Sequence, residues 1–257
     1  MALQTPPTRA PRELSTALYC YGVTSAGDAA SQPDAGLGGA SVEPVHFQKL
    51  AALTSAAPPG KVRARRADLL RHFDVLAAAF ERGTVVPLRF GIVFDHEASL
   101  VRDFLEPRHD ELAGLLRDLR DRVELRVTAH YREQAVLAEI VQQSPRVARL
   151  REQTQGHASP PLLMELGELV AAELQARTAR DARAILERLG KLALAYDVSD
   201  EQIEHQLLRA SFLVERKRLK AFDKAMDELA GSQAGRIDFS YVGPLPPHSF
   251  VKLEERR

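Results

Sequence analysis

The sequence contains a single cysteine and no tryptophan in 257 residues, and its formal net charge is 0. One cysteine, Cys20, excludes an intrachain disulfide and a zinc site built from several cysteines. The balance of 35 basic and 35 acidic side chains leaves no long-range field to attract nucleic acid or an anionic membrane. With 45% hydrophobic residues, the chain can still bury a core without covalent or metal crosslinks.

Long apolar runs are also missing. None approaches the ~18–20 residues that span a bilayer, so membrane insertion is not expected. Residues 1–16 are rich in Pro, Thr and Arg and lack the apolar segment of a secretory signal. We predict a flexible tail there, a second short tail at 252–257, and a cytoplasmic protein.

Residues 17–121 are predicted to form a first α+β domain. Apolar residues at helical spacing over 66–82 predict a helix that buries Leu69, Leu70 and Phe73. Alternating apolar residues over 84–94 predict one continuous strand, with Pro87 at an edge or at its start. The other predicted elements are strands at 18–23, 41–47 and 49–55 and helices at 98–105 and 108–120.

Residues 122–251 are predicted to form a second α+β domain. Strict alternation over 122–131 predicts a half-buried strand with Glu124 and Arg126 facing outward. Helical periodicity from about 132 to 190 predicts a long helical insertion. The remaining predicted elements are strands at 191–198, 206–214 and 237–241 and a helix at 216–230. The β-α-β-β-α-β order is typical of a ferredoxin-like, four-stranded antiparallel sheet with helices on one face.

The motifs of common catalytic sites are absent. Neither G-x-x-x-x-G-K-[ST] nor G-x-G-x-x-G occurs, and there is no G-x-S-x-G nucleophile motif. The outward positions of strand 122–131 also lack the aromatic residues that stack RNA bases. We therefore expect no enzymatic activity, no cofactor, no bound metal and no nucleic-acid partner.

One enzymatic alternative stays open at this stage. His72, His109, Asp110 and Asp118 are residue types that could form the site of a metal-dependent hydrolase. His109 and Asp110 also have a simpler explanation, because they follow Pro107 at a predicted helix start. Polar side chains there satisfy the first backbone amides and interact well with the helix dipole.

The most unusual segment is Gly-Pro-Leu-Pro-Pro-His-Ser-Phe-Val at 243–251. Three prolines within four residues predict a rigid, extended path, and Phe250 and Val251 supply an apolar end. Two interpretations remain. The segment is either a strap that packs on its own domain or a peptide edge presented to a partner protein.

Two segments resemble the gas vesicle accessory protein family GvpF/GvpL. Residues 85–94, Val-Val-Pro-Leu-Arg-Phe-Gly-Ile-Val-Phe, are similar to the family's "VLPxRFGTVF" strand, and residues 243–251 are similar to its closing "GPWPPYSFV". Leu245 stands where the family usually has Trp, and His248 where it usually has Tyr. The resemblance covers about residues 17–251.

The resemblance implies a modified ferredoxin-like N-terminal domain and a ferredoxin-like C-terminal domain, without enzymatic activity. It also implies an accessory protein that binds the hydrophobic shell subunit and other gas vesicle proteins and supports nucleation and assembly of the vesicle. Phe90 is expected to lie mainly in the core. The residues predicted to contact partners are Pro87, Arg89, Phe90, Gly91, Gly243, Pro244, Pro247, His248, Phe250 and Val251.

Overall fold

The computed structural model describes residues 17–156, 159–200 and 206–253. The chain divides into two compact units between Arg120 and Asp121. Each unit combines helices with its own antiparallel sheet, which confirms the predicted α+β class. The predicted tail at 1–16 and the last four residues of the tail at 252–257 lie outside the described residues.

The first unit contains a five-stranded sheet in the order β2-β3-β1-β4, with β5 also paired to β1. Its elements are β1 (Leu18–Ser25), a 3₁₀ turn (Leu37–Gly39), β2 (Glu43–Phe47), β3 (Leu50–Ala56), α1 (Arg66–Arg82), β4 (Val85–Pro87), β5 (Val93–Phe94), α2 (Glu97–Leu100) with a following π-helical turn (Val101–Leu105), and α3 (His109–Asp118). The central strand, β1, is buried on both faces, since six consecutive residues from Tyr19 to Thr24 are buried.

Helix α1 buries one side against this sheet. Its buried residues include His72, Val75, Leu76 and Phe80, as helical periodicity predicts. The predicted apolar stripe is wider than the buried face, however. Leu70 and Phe73 both lie on the exposed side of α1, so the prediction that they are core residues is wrong.

The single strand predicted over 84–94 is also wrong. The segment pairs with β1 twice, first as Pro87 with Gly22 and then as Val93 with Tyr19. Between these pairs lie only two residues of β1 but five residues, 88–92, of the other segment. The extra residues leave the ladder as a wide bulge, and Gly91 takes a φ of 99° there. Apolar alternation therefore continues through a segment that is not a strand.

The second unit has the element order β-α-β-β-α-β and the sheet order β7-β8-β6-β9, consistent with a ferredoxin-like arrangement. Its elements are β6 (Arg122–Tyr131), α4 (Glu133–Gln143), α5 (Pro145–Gln153), α6 (Pro160–Gly190), β7 (Ala195–Val198), β8 (Gln206–Glu215), a 3₁₀ turn (Arg216–Arg218), α7 (Leu219–Ser232), β9 (Ile237–Leu245) and a 3₁₀ turn (His248–Phe250). The strand predicted at 191–198 begins only at Ala195, and the last strand extends to Leu245.

Arg177 joins two helices of the insertion to each other, and Arg236 joins the insertion to the start of β9. Arg177 is almost fully buried on α6 and donates to Glu173 Oε2 at 2.7 Å and to Gln143 Oε1 of α4 at 3.0 Å. Arg236, just before β9, pairs with Glu139 of α4 at 2.7 Å and with Asp181 of α6 at 2.5 Å. The inserted helices are thus part of the unit's packed structure. Within the described ranges, no helix combines the length and the apolar composition needed to cross a membrane.

Candidate protein-interaction site

A buried hydrogen-bonded pair supports the bulge in the first unit. The Tyr19 hydroxyl lies 2.9 Å from His72 Nδ1, and His72 Nε2 lies 3.1 Å from the carbonyl oxygen of Leu88. A carbonyl oxygen can only accept, so Nε2 carries the proton, and in the neutral ring Nδ1 accepts from Tyr19. The Tyr19 oxygen in turn accepts from the backbone N–H of Gly91 at 3.1 Å. The pair therefore holds both ends of the bulge.

Aromatic rings surround this pair. The ring of Phe90 lies 5.7 Å from the rings of both Tyr19 and His72, and Phe73 lies 5.7 Å from His72 on the outer side. Burial raises the pKa of Tyr19, so its hydroxyl stays protonated and available as a donor at neutral pH. The packing fixes the conformation of a segment that has no regular secondary structure.

Large hydrophobic side chains stay exposed on α1 and at residues 92–93. Four of them are between 36% and 53% exposed. Together with the half-buried Phe90, they are named the β4–β5 surface, which consists of Leu70, Phe73, Phe90, Ile92 and Val93. Among the predicted contact residues, Arg89 and Gly91 are exposed here and Pro87 is buried.

The C-terminal segment lies on the second sheet. Pro247 is buried, His248, Phe250 and Val251 are half-buried, and Gly243 and Pro244 are exposed. The strap, residues 246–251, lies over the sheet face that the sequence predicts to be open, where Ser249 bonds to Glu124 and Ser211 and where Leu213 of β8 is buried. Of the two interpretations of this segment, the structure agrees with the first, a strap that packs on its own unit.

A buried carboxylate holds the strap in place. Glu124 of β6 is 0% exposed, so the prediction that it faces solvent is wrong. One of its oxygens accepts from the backbone N–H of Ser249 at 2.8 Å. The other accepts from Arg126 Nη2 at 2.9 Å and from the hydroxyls of Ser211 at 2.9 Å and Ser249 at 3.0 Å. A buried charge with this many donors is well satisfied.

A polar cavity lies beside the strap. Its volume is about 210 Å³, and the lining residues are Arg126, Asp197, Ser199, Arg209, Ser211 and Ser249. The lining carries two guanidinium groups, but Arg126 already pairs with Glu124 and the exposed Asp197 adds a carboxylate. The charges therefore balance, and the cavity has no strong preference for an anion.

The residues of the hydrolase alternative do not form a site. His72 is buried, and both of its ring nitrogens bond to Tyr19 and Leu88. His109 Nδ1 lies 3.0 Å from Asp110, while Asp118 is at the exposed end of α3. Among the residues that the structure describes, no group of three or more His, Cys, Asp or Glu could hold a metal ion. The thiol of Cys20 is buried, which raises its pKa to about 12 and keeps it protonated.

Sequence reasoning missed the structural roles of Tyr19, His72 and Glu124. Tyr19 carries a polar hydroxyl within a strand that is otherwise mostly apolar, which is one signal of a buried hydrogen bond. A second signal is the mixed character of β8, where Arg209, Ser211 and Leu213 share the second face. That pattern indicates that another segment covers the face.

Comparison with known proteins gives concordant matches. The family profile described as Gas vesicle synthesis protein GvpL/GvpF matches residues 17–252. Gas vesicle protein F from Streptomyces sp. (strain CB03234) is 37% identical over 241 residues, covering 91% of this chain and 99% of that protein. Gas vesicle protein F from Nostoc sp. (strain PCC 7120 / SAG 25.82 / UTEX 2576) is 25% identical over 243 residues, covering 93% and 100%.

Solved structures have the same fold. The crystal structure of gas vesicle protein GvpF from Anabaena sp. PCC7120 matches with a TM-score of 0.82 at 25% identity, covering 94% of this chain and 100% of that one. The structure of GvpF from Microcystis aeruginosa matches with a TM-score of 0.76 at 22% identity, covering 93% and 100%, which supports the fold alone. Because the family profile spans nearly the whole chain, the protein belongs to the GvpL/GvpF family of gas vesicle synthesis proteins.

Proposed function

We propose that this protein is a cytoplasmic gas vesicle accessory protein that binds the hydrophobic shell subunit and other vesicle proteins during nucleation and assembly. Membership of the GvpL/GvpF family supports the role in gas vesicles. The observation that carries the binding role is the β4–β5 surface of the first unit, where apolar side chains stay exposed around a rigid bulge.

The chemistry of this surface suits an apolar partner. Completing the burial of a half-exposed hydrophobic side chain is worth about 1 kcal/mol, so four such side chains contribute roughly a thousandfold in association constant. Groups of exposed apolar side chains mark protein interaction sites. The shell subunit is aggregation-prone before assembly, and a protein that covers its apolar face would keep it available.

The bulge is preorganised for binding. Tyr19 and His72 fix the backbone of Leu88 and Gly91 by hydrogen bonds, and Phe90 packs against both of their rings. A partner therefore loses little of its binding energy to ordering this segment. Ile92 and Val93 supply the exposed contacts at its far end.

Co-expression with candidate shell subunits, followed by pull-down, tests the proposal. The double variant Ile92→Asp/Val93→Asp should lose the subunit while unfolding as cooperatively as the wild type. The matched control is Leu163→Asp/Met164→Asp, which places the same charges on exposed apolar positions of α6 in the other unit. That control should bind normally.

Two alanine variants refine the result. Phe90→Ala and Phe250→Ala each remove a predicted contact residue from a segment that resembles the family. Normal subunit binding by both alanine variants and by the Ile92→Asp/Val93→Asp variant would mean that these segments have a purely structural role. The interface would then lie elsewhere and the proposal for this surface would be wrong.

A further inference from the structure

Strand β7 forms one edge of the second sheet. It pairs with β8 alone, and no strand in the described part of the chain lies on its other side. All four residues from Ala195 to Val198 are exposed. An exposed edge with free backbone groups is a template for pairing with another chain.

The register shows which backbone groups face outward. The N–H of Ser199 donates to the carbonyl oxygen of Arg209 at 2.9 Å, so these two residues form a hydrogen-bonded pair. Asp197, two residues away and opposite Ser211, has the same orientation. The alternate residues, Tyr196 and Val198, therefore direct their N–H and C=O groups away from β8 and toward the open edge.

The side chains at this edge are apolar on the helical side of the sheet. Tyr196 and Val198 share that side and are 51% and 39% exposed. The ring of Tyr196 lies 6.0 Å from the ring of Phe212 and rests against Gly190, where an added Cβ would lie 3.3 Å from the ring. The side chains on this side of β7 pack against β8 on one side, and the other side of the strand is open to a second strand.

The opposite side of the same edge carries a negative charge. Asp197 points into the polar cavity, and because β7 is the outer strand, its carboxylate is the charged group of the cavity nearest an incoming strand. Arg126 and Arg209 lie further in, on β6 and β8. Within the described ranges, no ion pair involves Asp197.

We propose that β7 binds an extended segment of another protein by strand addition. The partner segment has alternating apolar residues that pack beside Tyr196 and Val198, and a basic residue beside Asp197. Backbone hydrogen bonds to Tyr196 and Val198 supply affinity, and the alternating side chains supply selectivity. This surface belongs to the second unit and does not depend on the function proposed for the β4–β5 surface.

A second copy of this chain fits the edge poorly. Antiparallel pairing of two β7 strands with Tyr196 opposite Val198 places Asp197 directly opposite Asp197 of the other copy, and like charges opposite each other are destabilising. Shifting the register by one pair brings each Asp197 beside Ala195, with the apolar side chains still aligned but the two carboxylates diagonal neighbours. A basic residue of a different protein is attracted to Asp197, whereas the Asp197 of a second copy is repelled by it.

The test uses the full-length protein and fluorescent peptides of about seven residues with strictly alternating valine and lysine. Fluorescence anisotropy should show binding of this peptide and about tenfold weaker binding of a valine–glutamate peptide. Asp197→Lys should reverse that preference. A valine–lysine peptide with methylated backbone nitrogens on one edge, which cannot complete the ladder, should bind about tenfold more weakly.

Val198→Pro is the decisive variant. It removes an outward N–H and none of the hydrogen bonds to β8, and proline is tolerated where a strand's N–H faces an open edge. The variant should fold and bind the valine–lysine peptide about tenfold more weakly. In hydrogen exchange, the Tyr196 and Val198 amides should exchange fast in the free protein and slowly with the peptide bound.

Four results would overturn the inference. They are no binding of the valine–lysine peptide, equal binding by Val198→Pro and the wild type, protection of the Tyr196 and Val198 amides in the free protein, and self-association that Val198→Pro abolishes. The third result would mean that the chain covers its own edge. The fourth would mean that a second copy occupies it.

Discussion

The carboxylate of Glu124 and the backbone N–H of Ser249 lie 2.8 Å apart, although 125 residues separate them in the sequence. The contact joins strand β6, in the middle of the second sheet, to the strap that closes one of its faces. Lifting the strap removes two of the donors to this carboxylate, the backbone N–H and the hydroxyl of Ser249. Glu124 thus links the C-terminal strap to β6, an inner strand of the second sheet.

Glu124→Gln should lower the free energy of unfolding of the second unit by about 2 kcal/mol. The amide nitrogen would replace one acceptor oxygen and meet groups that are themselves donors, including Ser249. Urea unfolding measures the change. Glu168→Gln, on an exposed position of α6, is the control and should change stability little. Equal midpoints for both variants would contradict the role assigned to Glu124.

Stability should fall below neutral pH because of His248. Burial lowers the pKa of His248 from its ordinary 6.5, while nearby Glu124 raises it and Arg126 lowers it. The unfolded chain therefore takes up the proton at a higher pH than the folded chain does. This contribution to stability is complete above the unfolded pKa and is lost as pH falls from there through the folded pKa.

The variant His248→Tyr isolates this effect, since tyrosine does not titrate in this range. Urea unfolding of both proteins at about pH 7.5 and about pH 5.5 measures it. The wild type should lose more stability on acidification than the variant does. The explanation fails if the two proteins lose the same amount, because other histidines would then account for the whole dependence.

Tyr19→Phe should destabilise the first unit by about 1–2 kcal/mol. The ring remains, but His72 Nδ1 loses its donor and the Gly91 N–H loses its acceptor. Chemical unfolding gives the stability, and hydrogen exchange should show faster exchange at Gly91. Tyr196→Phe is the matched control, because in the described part of the chain the Tyr196 hydroxyl has no hydrogen-bond partner. Unchanged exchange at Gly91 would show that Tyr19 does not hold the bulge.

Gly22→Ala should destabilise the first unit by about 2 kcal/mol or prevent its folding. An added Cβ would lie 2.8 Å from Leu76 of α1 and 2.8 Å from the backbone oxygen of Val86 in β4. The backbone oxygen cannot move without disturbing the sheet. Gly27→Ala is the control, since its added Cβ would contact nothing within 4 Å. Thermal unfolding compares the two, and similar midpoints would show that α1 shifts freely over β1.

Periodicity alone predicts those elements of this fold that repeat over several turns or residues. The helix over 66–82 and the strand over 122–131 have the bounds that their patterns predict, because each buries one face along its whole length. The β-α-β-β-α-β order also follows from period and length. These features depend on the local pattern of apolar residues, which can be read directly from the sequence.

The bulge and the strap could not be predicted in this way. The alternation over 84–94 continues through residues 88–92, and only the pairing of both ends with β1 forces those residues out of the ladder. Glu124 sits on the face that alternation assigns to solvent, and its burial depends on residues more than a hundred positions away. Long-range pairing of this kind leaves no periodic signal.

The edge position of β9 has a consequence for biosynthesis. Strand β6 is paired on one side by β8 and on the other by β9. The hydrogen bond between Glu124 and Ser249 can form only after the C-terminal strap has been synthesised. A nascent chain on the ribosome can form the first unit and the helical insertion early. It cannot complete the second sheet until β9 and the strap have left the exit tunnel, so until then the unpaired edge of β6 and the side of Glu124 that Ser249 covers are open to chaperones.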